Sequence, residues 1–133
     1  YYISADNNVW AVDAATGKTI WHYTTKLNPI AKQAFYASAS RGVTVGRGKV
    51  FVGTLDGRFL ALDQKTGKEL WSFQTGTGIV APPVTWEQDG EQMIAVVTGW
   101  GGAVPLWGGD VAKRVNFLEQ GGSVWVFKLH KGS

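Results

Sequence analysis

Two carboxylates recur in one setting, Asp13-x-x-Thr16-Gly17-Lys18 and Asp63-x-x-Thr66-Gly67-Lys68. An aspartate at this spacing accepts hydrogen bonds from the amides of a tight turn, and glycine takes the positive φ that such a turn demands. The pattern therefore reads as a structural turn, and scaffold duty is the reading adopted for both copies. The other acidic residues are mostly committed to turns as well, which leaves no cage of six to eight oxygens for Ca²⁺. His22 and His130 stand at opposite ends of the chain on strand-like stretches, without a pocket to join them to a serine and an aspartate. Gly99-Trp100-Gly101-Gly102 and Gly108-Gly109-Asp110 follow no strand that opens a helix, so neither is a phosphate loop. No catalytic residue and no metal ligand is assigned. Arg41, ahead of Gly42 at a strand start, reads by itself as a solvated edge residue, and Val80 reads by itself as core.

The turns belong to a longer repeat. Residues 8–21, NVWAVDAATGKTIW, align without a gap on residues 58–71, RFLALDQKTGKELW. Ala11, Asp13, Thr16, Gly17, Lys18 and Trp21 meet Ala61, Asp63, Thr66, Gly67, Lys68 and Trp71. Upstream, Asp6 meets Asp56. A fixed offset with one shared signature predicts stacked supersecondary units. Within each unit apolar and other residues alternate with a period of two, which is strand patterning. Asp56-Gly57 is a second hairpin signal, with Asp6-Asn7-Asn8 in the same slot. Trp21 and Trp71 fall on the returning strand, where a large ring can wedge between neighbouring sheets.

The bulk properties agree. The 133 residues suffice for one domain with a core, and 18 glycines with seven tryptophans suit a sheet-rich repeat with tight turns. The absence of cysteine excludes disulfides, zinc–thiolate sites and thioether-attached haem. The net charge of +3 is thinly spread, with Lys113-Arg114 the only adjacent basic pair, so a nucleic-acid role is not expected. No apolar run reaches membrane-spanning length. The chain opens at Tyr1, inside a strand and without Met or signal peptide, and reads as a processed or truncated piece.

Taken in order, Tyr1–Ala5, Val9–Asp13 and Thr19–Thr25 form three strands. Residues 26–40 connect them onward and could hold a short irregular helix. Gly42–Val45, Val50–Leu55, Phe59–Asp63 and Glu69–Gln74 make a complete four-stranded antiparallel meander. Val80–Glu87, Gln92–Thr98 and Gly122–Leu129 form a third group, with Pro82-Pro83 acceptable only at a strand start or edge. A Gly- and Trp-rich insertion, 99–120, interrupts this group, and loops of that length carry function, contact a neighbour or are disordered. The expected fold is all-β, a partial β-propeller of four-stranded blades numbering about two and a half, short of the roughly four that close a ring. Its parts are a partial blade at 1–25, a complete blade at 41–75 and a C-terminal partial blade at 79–130.

The paired A-x-D-x-x-T-G-K-x-x-W runs resemble the tryptophan-docking motif of the quinoprotein alcohol dehydrogenases, propellers that use pyrroloquinoline quinone (PQQ) with Ca²⁺ or a lanthanide. Ser40-Arg41-Gly42-Val43, followed by GKVFVGTLDGRFLALDQKTGKELW, resembles that family's second repeat. TGTGIVAPPVTWEQDGEQMIAVVTGWGGAVPLW and then GGSVWVFKL resemble its last blade. The resemblance covers nearly the whole chain. It implies PQQ as cofactor, a metal ion, a cytochrome as electron acceptor and a periplasmic location. By the same likeness, Arg41 aligns with the arginine that contacts a PQQ carboxylate, and Val80 falls in a loop near the cofactor. PQQ is a tricarboxylate, and a guanidinium binds a carboxylate in bidentate fashion.

The departures are equally informative. The chain passes from its second-repeat Trp71 directly into the last-blade run at Gly76–Pro83, as if blades had been deleted. The family's catalytic Asp, its metal-ligating Glu and Asn and the ring-stacking Trp have no counterpart here, and Phe35-Tyr36 stands where many members have paired cysteines. The expectation is an alcohol dehydrogenase fragment without turnover of its own. The alternative is a non-enzymatic periplasmic scaffold or binding module, since the same repeat occurs in outer-membrane assembly proteins. An open arc also leaves its end faces bare, with Tyr2, Val9 and Val12 at one end and Ile94, Val96 and Trp125 at the other. Self-association, or a marginal monomer, is expected.

Overall fold

The computed structural model of the chain describes residues 2–29, 31, 41–99 and 121–130. Among the described residues ten strands are formed: β1 Tyr2–Ala5, β2 Asn8–Val12, β3 Thr19–Tyr23, β4 Val43–Gly46, β5 Lys49–Gly53, β6 Arg58–Asp63, β7 Glu69–Gln74, β8 Val84–Gln88, β9 Glu91–Thr98 and β10 Ser123–Lys128. They make three antiparallel meanders, β1-β2-β3, β4-β5-β6-β7 and β10-β9-β8. The three-four-three grouping of the sequence is the grouping of the structure. One boundary moves by several residues. The strand expected from Val80 begins only at Val84, beyond Pro82 and Pro83, whose rings cannot donate to a ladder. The connection that could hold a short helix lies mostly outside the described residues, as does nearly all of the 99–120 insertion.

The middle sheet explains the packing. Val50, Val52, Leu60 and Leu62 face one way and meet Val9, Ala11 and Trp21 of the first sheet. Phe51, Phe59 and Ala61 face the other way and meet Ile79, Ile94 and Val96 of the third. Strand patterning puts alternate side chains on opposite faces, so a strand buried on both sides must be apolar at every position. β6 is such a strand, with Phe59, Leu60, Ala61 and Leu62 all buried. β2 and β9 bury only alternate residues, because each belongs to a sheet with one covered face.

That parity corrects one expectation. Val9, Ile94 and Val96 are not the bare residues of the end faces but part of the two cores, with Tyr2 packed at the edge of the first core and Trp125 at the edge of the second. The exposed residues are their neighbours in sequence, Val97, Val124 and Val126 in the third sheet and Ile20 in the first.

Candidate functional site

The strand directions sort the connections onto two ends. One end carries both Asp-x-x-Thr-Gly-Lys turns, with Arg47-Gly48 and Asp89-Gly90. The other carries Asp6-Asn7, Arg41, Thr54–Gly57, Thr75–Pro83 and the start of the insertion at Gly99.

At the first end the two repeats build the same turn. Asp13 Oδ1 accepts from Ala15 N (3.0 Å), Thr16 N (2.8 Å) and Thr16 Oγ1 (2.8 Å). Asp63 Oδ1 accepts from Lys65 N (3.0 Å), Thr66 N (2.7 Å) and Thr66 Oγ1 (2.8 Å). Gly17 and Gly67 sit at φ 71° and 72°, the left-handed conformation the sequence demanded. The threonine hydroxyl, then the threonine amide, hold each carboxyl below its ordinary range. A carboxylate so occupied serves the turn and is poorly suited to take up a proton.

The two tryptophans part ways. Trp21 is buried, donates from Nε1 to Gln64 O (3.1 Å), and lies so close over Gly67 that a Cβ there would come within 2.6 Å of the indole. It thus rests on the turn of the next repeat. Tyr2 donates to the same carbonyl (3.2 Å), its ring 5.8 Å from the indole. Trp71 remains 42% exposed and joins a cluster with Phe59, Phe73 and Phe127, the last at 5.3 Å. Ala11 and Ala61 stand opposite Trp21 and Trp71 in the ladders, small residues beside large rings.

At the second end, Gly42 approaches Pro82, its Cβ position 3.9 Å from Pro82 Cβ. Ile79 donates from its amide to Thr54 O (2.9 Å), presses on Gly53, and bridges to Gly99. The Arg41 segment and the Val80 segment are therefore neighbours, fixed by β5 behind them. Arg41 is exposed and makes no ion pair among the described residues; Val80 is half-buried. Among the described residues no three His, Cys, Asp or Glu side chains gather as a metal site.

The connections at this end are stiffened by residues whose role the sequence did not disclose. Asn7, fully buried, accepts from Leu55 N at Oδ1 (2.8 Å) and from the Thr25 hydroxyl at its carbonyl. The sequence places it only in a turn slot. The signal available was an asparagine where the other repeat has Gly57, since a side-chain amide can fill backbone valences that glycine cannot. Arg58 pairs with Asp56 (3.1 Å) and donates to Lys26 O (2.7 Å). Burial works to raise the Asp56 pKa, but the Thr54 hydroxyl and the Arg58 guanidinium outweigh it and hold the carboxyl low. A cleft of about 280 Å³, lined by Arg47, Thr85, Trp86, Glu87 and Gln92, opens at the opposite end, remote from Arg41 and Val80.

Comparison with known proteins gives this architecture its kin. Residues 5–132 match the family described as "Outer membrane protein assembly factor BamB", a PQQ-repeat family. Quinoprotein alcohol dehydrogenase PedE of Pseudomonas putida is 55% identical over 120 residues, 90% of this chain and 17% of that protein. The 1-butanol dehydrogenase (quinone) of Thauera butanivorans is 60% identical over 91 residues, 68% of this chain and 15% of that protein. Among solved structures, the europium-containing methanol dehydrogenase aligns with a TM-score of 0.61 at 32% identity, over 76% of this chain and 19% of that one. The chain thus spans less than a fifth of the length of these relatives. The chain belongs to the PQQ-repeat family of β-propeller proteins, and its relatives within that fold are quinoprotein alcohol dehydrogenases.

Proposed function

We propose that the chain is a piece of a PQQ-dependent alcohol dehydrogenase whose Arg41–Val80 end faces the cofactor. The observation that carries this reading is the adjacency of two segments far apart in sequence, Arg41-Gly42 and Ile79–Pro83, at one end of the sheets. An exposed guanidinium with no ion-pair partner among the described residues suits one carboxylate of PQQ, so Arg41 fits the group. Val80 would supply an apolar contact beside it. PQQ, when bound in an alcohol dehydrogenase, accepts the hydride of the alcohol. This chain's part is to orient one carboxylate and wall one side of the site. The described residues do not fit a Ca²⁺ or lanthanide site, so the metal falls to residues outside them. A cytochrome acceptor and a periplasmic setting belong to the same proposal, as do the tryptophan-docking roles of Trp21 and Trp71 with their turns. One relative is named for its use of cytochrome c.

PQQ added to the 133-residue chain should quench tryptophan fluorescence in the micromolar range. Arg41→Ala should weaken that binding about tenfold or more, the worth of a hydrogen bond to a charged group. Dye-linked alcohol oxidation with PQQ and Ca²⁺ should be absent; rates like those of the full-length relatives would overturn the fragment reading. A second reading rests on the matched family's own description: a scaffold module of outer-membrane assembly. No quenching at high micromolar PQQ, in a folded chain, favours that one.

A further inference from the structure

Among the described residues, the two end sheets each bury one face and leave the other bare. On the third sheet the uncovered face is apolar over three cross-strand rows and is edged by the Lys128–Glu91 ion pair and Gln88. Val84, Ala95 and Val126 stand in one cross-strand row, Trp86 and Met93 with Lys128 at its edge in the next, and Val97 with Val124 in a third. Val84 is 58%, Val97 54%, Val124 67% and Val126 54% exposed. On the first sheet the bare face carries Ile20, 62% exposed, with Val12 and Trp10, whose ring stacks on exposed His22 at 4.4 Å. The middle sheet shows what such faces do in this chain, since its central strands β5 and β6 are covered by a neighbour on both sides.

We infer that two copies of this chain associate head to tail, the bare face of β8-β9-β10 on one copy packing against the bare face of β1-β2-β3 on the other. The contact repeats the sheet-on-sheet packing already present twice within each copy. β4 lies beside both β1 and β8, so the sheets radiate from a common line. Two copies bring six sheets, within the roughly four to eight that close a propeller. Closure is favoured by area. Three strands about 4.8 Å apart, rising about 3.3 Å per residue, present a face of roughly 200 Å² on β1-β2-β3, whose strands have four or five residues, and roughly 300 Å² on β8-β9-β10, whose strands have five to eight. One contact buries one face of each kind, roughly 500 Å², whereas the closed pair buries two of each, roughly 1,000 Å², the least that a specific interface needs. A head-to-tail contact that closes gives a discrete ring rather than a fibre.

The experiment is light scattering behind size exclusion from about 1 to 100 µM, on the wild type and on Val126→Lys and Ile20→Lys. Both substitutions fall on exposed positions, and far-UV circular dichroism checks that each variant keeps its strands. The wild type should run at twice the 14.4 kDa monomer mass. Each variant alone should run as a monomer, because each spoils one side of both contacts. A dimer lost with Val126→Lys but kept with Ile20→Lys would mean like faces pair, and would overturn the head-to-tail arrangement. A wild-type monomer at every concentration would overturn the inference outright and leave the faces to further sheets of a longer polypeptide. The wild-type dilution series decides this even if a variant fails to fold.

Discussion

At the scale of single residues, the two repeat turns form a natural experiment. Gly17 and Gly67 have the same left-handed backbone, yet only Gly67 lies under an indole; around Gly17 the space for a Cβ is open. Gly17→Ala should therefore cost only the backbone strain, about 1–2 kcal/mol. Gly67→Ala should cost a further 1–3 kcal/mol, because the methyl must displace the Trp21 ring. Urea melts of the two variants measure the difference, and equal losses would show that Trp21 does not rest on the turn. Tyr23 offers a second test. Burial, then its hydrogen bond to Glu69, pushes its phenol from 10.0 up to about 12. A raised pKa means that the folded state holds the proton more tightly than the unfolded chain does. The stabilisation is thus whole below pH 10 and is lost as pH rises from 10 towards 12. The urea midpoint should fall over that window more steeply in the wild type than in Tyr23→Phe; parallel curves would remove Tyr23–Glu69 as a link between the sheets.

Elements differ in how openly the sequence announces them. The Asp-x-x-Thr-Gly-Lys turns and the strands around them were legible because their causes are local: a short carboxylate-to-amide reach, a glycine at positive φ, and alternation on either side. Glu69–Gln74 was placed to the residue. The third sheet was harder. Met93 to Val97 is apolar at every position, so the sequence holds no parity to say which residues face inward. Ile79 and Phe59 settle it from across the interface by packing on Ile94 and Val96. Alternation fails as a guide when both sets of side chains are apolar, and only the partner sheet distinguishes them. The site shows a similar division. Arg41 and Val80 stand out by family likeness alone, since neither residue type nor spacing marks them, while their nearness depends on Gly42 meeting Pro82 across the fold. Asn7 stayed hidden because its partners, Leu55 and Thr25, are 48 and 18 residues away.

For the molecule as a whole, the middle sheet is the one structure both cores share. Val50, Val52, Leu60 and Leu62 build the first core, and Phe51, Phe59 and Ala61 build the second. Losing the first sheet exposes one face of the middle one but leaves the second core standing, and losing the third does the converse. Losing β5 or β6 destroys both. Partial openings should therefore start in the end sheets, with the middle sheet opening only when the chain unfolds altogether. Native-state hydrogen exchange resolves this amide by amide. The ladder amides of β5 and β6 should exchange slowest, with protection matching the global unfolding free energy and the same denaturant dependence. Amides of β2 and β9 should exchange faster, through openings that expose less surface and respond less to denaturant. Head-to-tail association would narrow this gap as concentration rises, because it covers the faces from which the end sheets open. Uniform protection across all three sheets in a dilute monomer would show that the arc unfolds as one unit, with no hierarchy set by its middle sheet.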